Sequence, residues 1–284
     1  MTLAVQPPGT MWSGAMSIEI LREPSRGRIR HALFDFDGTL SLIRSGWQDV
    51  MIPMMVEVLA ATPQAEDEAT LGAVVREFVD TLTGKQTIYQ TIRLAEEVTK
   101  RGGTAEDPLV YKHEYLDRLW QKVHHRVDGL KDGTIPPDDL LVPGSRELLE
   151  NLRARGIRCY LASGTDLPYV VDEAAALRVD GYFDGGISGA LDDYRQFSKA
   201  KVIEQILAEH ELHGPELVAF GDGYVEIENT VGVGGIAVGL ATDEIERRSV
   251  DDWKRNRLIL AGAHLIVPDF REQDALLRYL QAEA

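Results

Sequence analysis

The chain has 284 residues, 44% of them hydrophobic and 27% charged, with a formal net charge of −16. That length holds one large domain or two smaller ones around a sizeable core, and the acidic balance excludes nucleic acid and an anionic membrane surface as main partners. Cys159, the only cysteine, excludes internal disulfides and a multi-cysteine metal site. No apolar run approaches the roughly 20 residues that span a bilayer, and no secretory signal is visible, so a cytoplasmic location is expected.

In chain order, residues 1–16, with Pro7-Pro8-Gly9, read as a loose leader. Ser17 to Leu21 alternates as a short strand does, and Arg30 to Phe36 reads as a buried strand. Residues 44–140 change character. Gln48–Ala60, Glu66–Leu82, Thr87–Lys100 and Pro108–Val127 each carry apolar residues at three- and four-residue spacing. Four such helices in a row, bounded by Gly84, Gly102-Gly103 and the stretch from Gly129 to Pro137, predict a separate helical unit. From residue 141 onward strands and helices alternate. Helices are predicted over Ser145–Arg155, Pro168–Leu177, Lys199–Glu209 and Asp274–Leu280. Strands are predicted over Ile157–Leu161, Gly186–Ile187, Leu217–Phe220, Ile236–Leu240 and Leu265–Val267. Repeated strand–helix units imply a parallel sheet covered on both faces, with ligands at the carboxyl ends of its strands.

The polar residues concentrate at those strand ends. After Ala32-Leu33-Phe34 come Asp35 and Asp37, two residues apart, then Gly38 and Thr39. Two carboxylates forced together at a strand end repel unless a cation neutralises them or one keeps a proton. Gly38 lets the backbone turn sharply and approach an anion. The pattern points to metal-assisted chemistry, with one carboxylate as nucleophile and the other as acid/base. Ser163-Gly164-Thr165 follows the next strand and offers a hydroxyl and exposed N–H groups to phosphate oxygens. Ser198 caps a helix whose first turn carries Lys199 and Lys201, against the helix dipole, which makes sense beside an anionic site. The two lysines differ by about 200° around the helix, so only one faces the site; Lys199, nearest the loop, is the expected one. Asp222 and Glu226, four apart after another strand, suit a hard cation.

In these four motifs, in this order, the chain resembles the haloacid dehalogenase superfamily, and within it the capped phosphatases similar to phosphoglycolate phosphatase and beta-phosphoglucomutase. The resemblance implies a Rossmann-like, doubly wound α/β core over residues 17–43 and 141–284, with an α-helical cap inserted at 44–140. It implies a phosphatase that hydrolyses a small phosphorylated metabolite, such as a sugar phosphate, through an aspartyl-phosphate. Asp35 would attack phosphorus, and Asp37 would protonate the leaving oxygen and then activate water. Lys199 would neutralise charge. Asp35, the Asp37 carbonyl and Asp222 would hold Mg2+, with Glu226 standing where the family has Asp and reaching a metal-bound water. Gly38, Thr39, Ser163 and Gly164 would bind the phosphoryl group. An acid at Asp37 separates phosphatases and mutases from dehalogenases and transport ATPases. A sugar phosphomutase of the same fold and a catalytically silent binding protein are the alternatives. A homodimer is compatible with this reading.

Other features are weaker. Thr83-Gly84-Lys85-Gln86-Thr87 lacks the rest of a nucleotide loop, but as a joint in the cap it could present Lys85 to substrate. Arg44 and Trp47 sit where a cap hinge and substrate entrance would lie. Gly232 to Ala237 precedes a strand, so turn glycines are expected there. His124-His125 diverge on a helix and make no zinc pair. Tyr111, Tyr115 and Leu119 fall at core spacing. The basic run from Trp253 to Arg257 reads as a solvated helix face.

Overall fold

A computed structural model describes residues 11–12, 18–247 and 249–282. The strands are β1 (Met11–Trp12), β2 (Glu19–Ile20), β3 (His31–Phe34), β4 (Arg158–Asp166), β5 (Ile187–Ala190), β6 (Leu217–Gly221), β7 (Ile236–Leu240) and β8 (Leu265–Val267). They form one sheet in the order β1-β2-β8-β7-β6-β3-β4-β5. The pairings from β8 through to β5 are all parallel, and β1 and β2 add an antiparallel edge. The residues read as a leader lie outside the described residues, apart from Met11–Trp12, which pair with β2.

Each central strand is buried on both faces, as a parallel sheet requires. Ala32 and Phe34 of β3 pack in the cluster that holds helices α5 (Ser145–Ala154), α6 (Leu167–Ala176) and α10 (Gln273–Leu280). Leu33 points the other way, with Tyr160 and Ala219, onto Ile203 and Ile206 of α7 (Lys199–Glu209). Beside it, Ala237 and Ile266 pack against Ile227 of α8 (Tyr224–Gly232) and Leu258 and Ala261 of α9 (Asp252–Ala261). The two-residue side-chain period of the strands thus builds both layers of the core.

Between β3 and β4 the chain forms α1 (Gln48–Ala60), α2 (Glu68–Leu82), α3 (Thr87–Lys100) and α4 (Pro108–Asp132). These pack around a cluster of their own, including Met51, Met55, Leu71, Val75, Leu94 and Leu119. Sequence cues start the helices: the Asp67 carboxylate accepts from Thr70 N–H, and Asp107 caps Leu109 N–H ahead of Pro108. Helix α4 runs through Gly129 to Asp132, past the expected end at Val127. The segment after it folds back, with Ile135 N–H donating to Gly129 O at 2.8 Å. Strand β4 is also longer than expected. It continues through Ser163-Gly164-Thr165, with a register shift between Ala162 and Asp166. Helix α8 was not predicted; its short apolar pattern follows directly on the Gly-Asp-Gly turn.

From β3 the next strands, β4 and β5, lie on one side, and β6, β7 and β8 on the other. The direction of strand order reverses at β3. A crevice opens at such a point, above the carboxyl end of the strand, and Asp35 and Asp37 follow β3 there.

Candidate active site

Asp35 leaves β3 while its N–H still pairs with Phe220 O, so its backbone is fixed by the sheet. Phe36 N–H donates to Asp35 Oδ1 at 2.8 Å, and Lys199 Nζ lies 2.7 Å from Asp35 Oδ2. Burial pushes the Asp35 carboxyl above its ordinary range, and nearby Asp222 adds to this, while the Lys199 ammonium opposes it. Gly38 turns the chain at φ +74°, and a Cβ there would lie 2.2 Å from Asp222 Oδ2. Only glycine lets these two loops meet.

Lys199 opens α7, where Ser198 Oγ caps Lys201 N–H at 3.2 Å. Its ammonium is buried between Asp35 and Glu226, whose Oε2 lies 2.8 Å away. Burial opposes its charge, but the two carboxylates outweigh that and hold it protonated. Lys201 points elsewhere and donates to Arg195 O. Glu226, 1% exposed, also accepts from Gly223 N–H at 2.7 Å. Both of its oxygens are therefore engaged, one orienting Lys199 and the other closing the turn before α8. Burial raises its carboxyl too.

Asp37 is held from β4: Thr165 Oγ donates to its Oδ2 at 2.8 Å and Ser163 Oγ to the same oxygen at 3.3 Å. Its other oxygen, Oδ1, is buried without a hydrogen-bond partner; Arg44 Nε stands 4.0 Å from it. Burial pushes the Asp37 carboxyl up to about 6, against the pull of Arg44. Arg44 is itself buried and makes a bidentate pair with Glu173 of α6, with Nη2 at 2.7 Å from Oε1. It also lies over the Tyr169 ring, 5.0 Å from the centroid.

Asp222, at the end of β6, meets a lysine that the sequence reading had placed on a solvated face. That expectation fails for Lys254: its side chain is 11% exposed, and Nζ lies 2.8 Å from Asp222 Oδ2 and 2.7 Å from Glu244 Oε1. Arg257 is also drawn inward, 4.6 Å from the centre of the Trp253 ring and 5.2 Å from that of Tyr224. Thr39 is fully buried, and its Oγ accepts from Asp222 N–H at 3.0 Å, so it braces two loops.

Asp35, Asp37, Gly38, Arg44, Lys85, Ser163, Gly164, Lys199 and Asp222 line one cavity. The other wall comes from the helical unit and its approach: Trp47, Met51, Thr83, Gly84, Thr87, Gln90 and Tyr115. The turn between α2 and α3 is tied down there. Gln86 Nε2 donates to Phe197 O at 2.8 Å and to Tyr194 O at 3.2 Å, and Arg257 Nη2 donates to Thr83 O at 3.3 Å. The Lys85 ammonium rests 5.6 Å from the centre of the Tyr89 ring. Among the described residues, Asp35, Asp222 and Glu226 can each place a carboxylate oxygen within 4.8 Å of the others. This hard-oxygen set, with the Asp35 and Glu226 carboxyls raised by burial and an unpartnered Asp37 oxygen lining the same cavity, suits a hard divalent cation such as magnesium.

Sequence reasoning missed Thr165, Glu173, Glu244 and the burial of Lys254. Thr165 was legible, as it ends the Ser-Gly-Thr motif. Glu173 carries no local signal, because its partner Arg44 lies far away in the chain, and Glu244 pairs with Lys254 ten residues on, across a loop that has no helical spacing to read.

The profile of the haloacid dehalogenase-like hydrolases matches residues 29–228. No curated protein sequence matches the chain significantly. Solved structures do. A predicted phosphoglycolate phosphatase from Haemophilus somnus 129PT superposes with TM-score 0.57 at 16% identity, covering 88% of this chain and 98% of that one. A beta-phosphoglucomutase from Clostridium difficile gives 0.58 at 15%, covering 88% and 97%. CbbY from Rhodobacter sphaeroides, in complex with phosphate, gives 0.54 at 21%, covering 86% and 96%. At these identities the structural likeness speaks for the fold. The profile match spans most of the chain and carries all four strand-end motifs, and the chain belongs to the haloacid dehalogenase-like hydrolase family.

Proposed function

We propose that this hydrolase is a magnesium-dependent phosphatase that cleaves a small phosphomonoester through a phosphoenzyme formed on Asp35. The observation that supports this most is the meeting of Asp35 with a buried ammonium, the Asp37 acid/base candidate and the Asp222 carboxylate in one cavity. Asp35, Asp222 and the Asp37 carbonyl would hold the metal, which when bound supplies positive charge to the phosphoryl oxygens and to the Asp35 carboxylate. Glu226, with both oxygens engaged, is better placed to orient Lys199 than to ligate directly.

Asp35 attacks phosphorus, forming an Oδ–P bond as the P–O bond to the leaving group breaks. Asp37 gives its proton to the leaving oxygen. The raised carboxyl keeps that proton available close to neutral pH, and Thr165 and Ser163 fix its direction. Deprotonated Asp37 then takes a proton from water as the water oxygen attacks phosphorus and the bond to Asp35 breaks. Lys199, charged throughout, stabilises the oxygens that gain charge. Ser163 and Gly164 bind the phosphoryl group, alongside Gly38.

In this reading the helical unit within residues 44–140 is a cap that excludes water and selects the leaving group. Its cavity wall mixes aromatic, apolar and polar groups, which suits a compact metabolite such as a sugar phosphate. Arg44 is already balanced by Glu173, and Lys85 is the cap's cation toward substrate. The test is release of inorganic phosphate from a broad panel of phosphomonoesters with magnesium. Wild type should turn over at least one, and Asp35→Asn should lose about 10⁴-fold or more, as removal of a covalent nucleophile does. No turnover across the panel, or isomerisation without phosphate release, would overturn the proposal.

A further inference from the structure

Lys254 stands in an unfavourable place. It lies in the first turn of α9, where Asp251 caps its N–H at 3.0 Å and the helix dipole disfavours a cation. It is also buried. Only its two acceptors, Asp222 Oδ2 at 2.8 Å and Glu244 Oε1 at 2.7 Å, make the position tenable. Glu244 lines the cavity along with Asp222. A Cβ at Gly38 would meet both carboxylates, at 2.2 and 3.1 Å, so the three groups form one cluster against the nucleophile loop.

We infer that Lys254 is a displaceable counter-ion of the cation site: it holds Asp222 in place in the unloaded protein and retreats to Glu244 alone when a divalent cation takes Asp222. The inference rests on the metal-dependent reading given above. Asp222 then never faces Asp35 uncompensated, and loading exchanges one cation for another. The consequence is a cation affinity lower than the carboxylates alone would give, set by the balance between Lys254 and Glu244. Lys254 is therefore a positioning residue that acts through Asp222.

A substrate-free magnesium titration, read by calorimetry and by the rise in unfolding temperature, tests this. Lys254→Met should tighten magnesium binding about tenfold or more, the scale expected for removing a full charge a few ångströms from a ligand. Glu244→Gln should weaken it by a similar factor, because Lys254 is left with Asp222 as its sole partner. The double variant should return to within about threefold of wild type, since the pair it removes is neutral. A merely structural pair would shift both single variants in the same direction. Unchanged or weaker binding in Lys254→Met would overturn the inference, and so would a double variant as weak as Glu244→Gln, which would make Glu244 a direct ligand. If Lys254→Met does not fold, the comparison of Glu244→Gln with the double variant decides alone. Wild type that binds no magnesium, behaving like Asp222→Asn, would remove the metal-dependent reading and this inference together.

Discussion

Lys199 and Lys201 differ by two positions in sequence and by nearly everything else in their surroundings. One is 4% exposed between Asp35 and Glu226, while the other lies outside on Arg195 O. Lys199→Met should therefore cost about 10²-fold or more in phosphate release, the scale of losing one preorganised charge. Lys201→Met should stay within about threefold, as surface changes do. Equal losses measured in parallel would contradict the assignment. The helical angle between the lysines made this difference legible in the sequence. The Arg44–Glu173 pair was not legible because it joins residues far apart in the chain, and the Lys254–Glu244 pair was not legible because it spans a loop whose burial leaves no spacing to read. Thr39, a hydroxyl beside the acid pair, reads from sequence as a ligand group, and in the fold its oxygen accepts from Asp222 N–H. At the start of β3, burial with help from neighbouring His210 lowers His31 to about 4 from its ordinary 6.5. Its Nδ1 lies 3.1 Å from Tyr160 OH. Between those values the unfolded chain binds a proton that the folded chain refuses, so stability falls as pH drops from 6.5 toward 4. His31→Asn should flatten that slope. Urea midpoints measured at about pH 7 and about pH 5 check it, and an equal fall in variant and wild type would assign the acid sensitivity to other groups.

At the scale of elements, the four helices and the alternating core were readable because periodicity and end signals agreed. Asp107-Pro108 opens α4 and Ser198 opens α7 where the sequence says they should. Boundaries failed where tertiary contact overrode a local breaker, as at Gly129, and where a polar motif stayed in the sheet, as at Ser163 to Asp166. The ties between the helical unit and the core were not readable. Lys112 of α4 is 1% exposed and 2.8 Å from Asp166 at the end of β4, and Arg257 of α9 reaches Thr83 O. If the α1–α4 unit closes over substrate, Arg257→Ala should raise KM by about three- to tenfold with a smaller change in kcat, because it loosens the turn that carries Lys85 without touching the acid pair. Steady-state kinetics on the substrate found by the panel measure the split. A fall in kcat with KM unchanged would place Arg257 in the chemistry instead.

Across the whole molecule, the strand order supplies what no single motif does. The reversal at β3 brings the ends of β3, β4 and β6 together, and the start of α7 beside them, although these segments are spread from Asp35 to Asp222. Each motif alone is a turn with a carboxylate or a hydroxyl. Assembled, they place a buried lysine on one acid, two hydroxyls on the second, and a further carboxylate beside both. In an acidic chain, Arg44, Lys85 and Lys199 thus stand in the same cavity as Asp35, Asp37, Asp222 and Glu244. The bond that forms on Asp35 is the most direct thing to measure. Enzyme quenched in acid during turnover and then treated with borohydride converts an aspartyl-phosphate to homoserine, which peptide mass spectrometry locates. Homoserine is expected at position 35, dependent on both magnesium and substrate. Phosphate release with Asp35 unlabelled, or with the label on another residue, would contradict it.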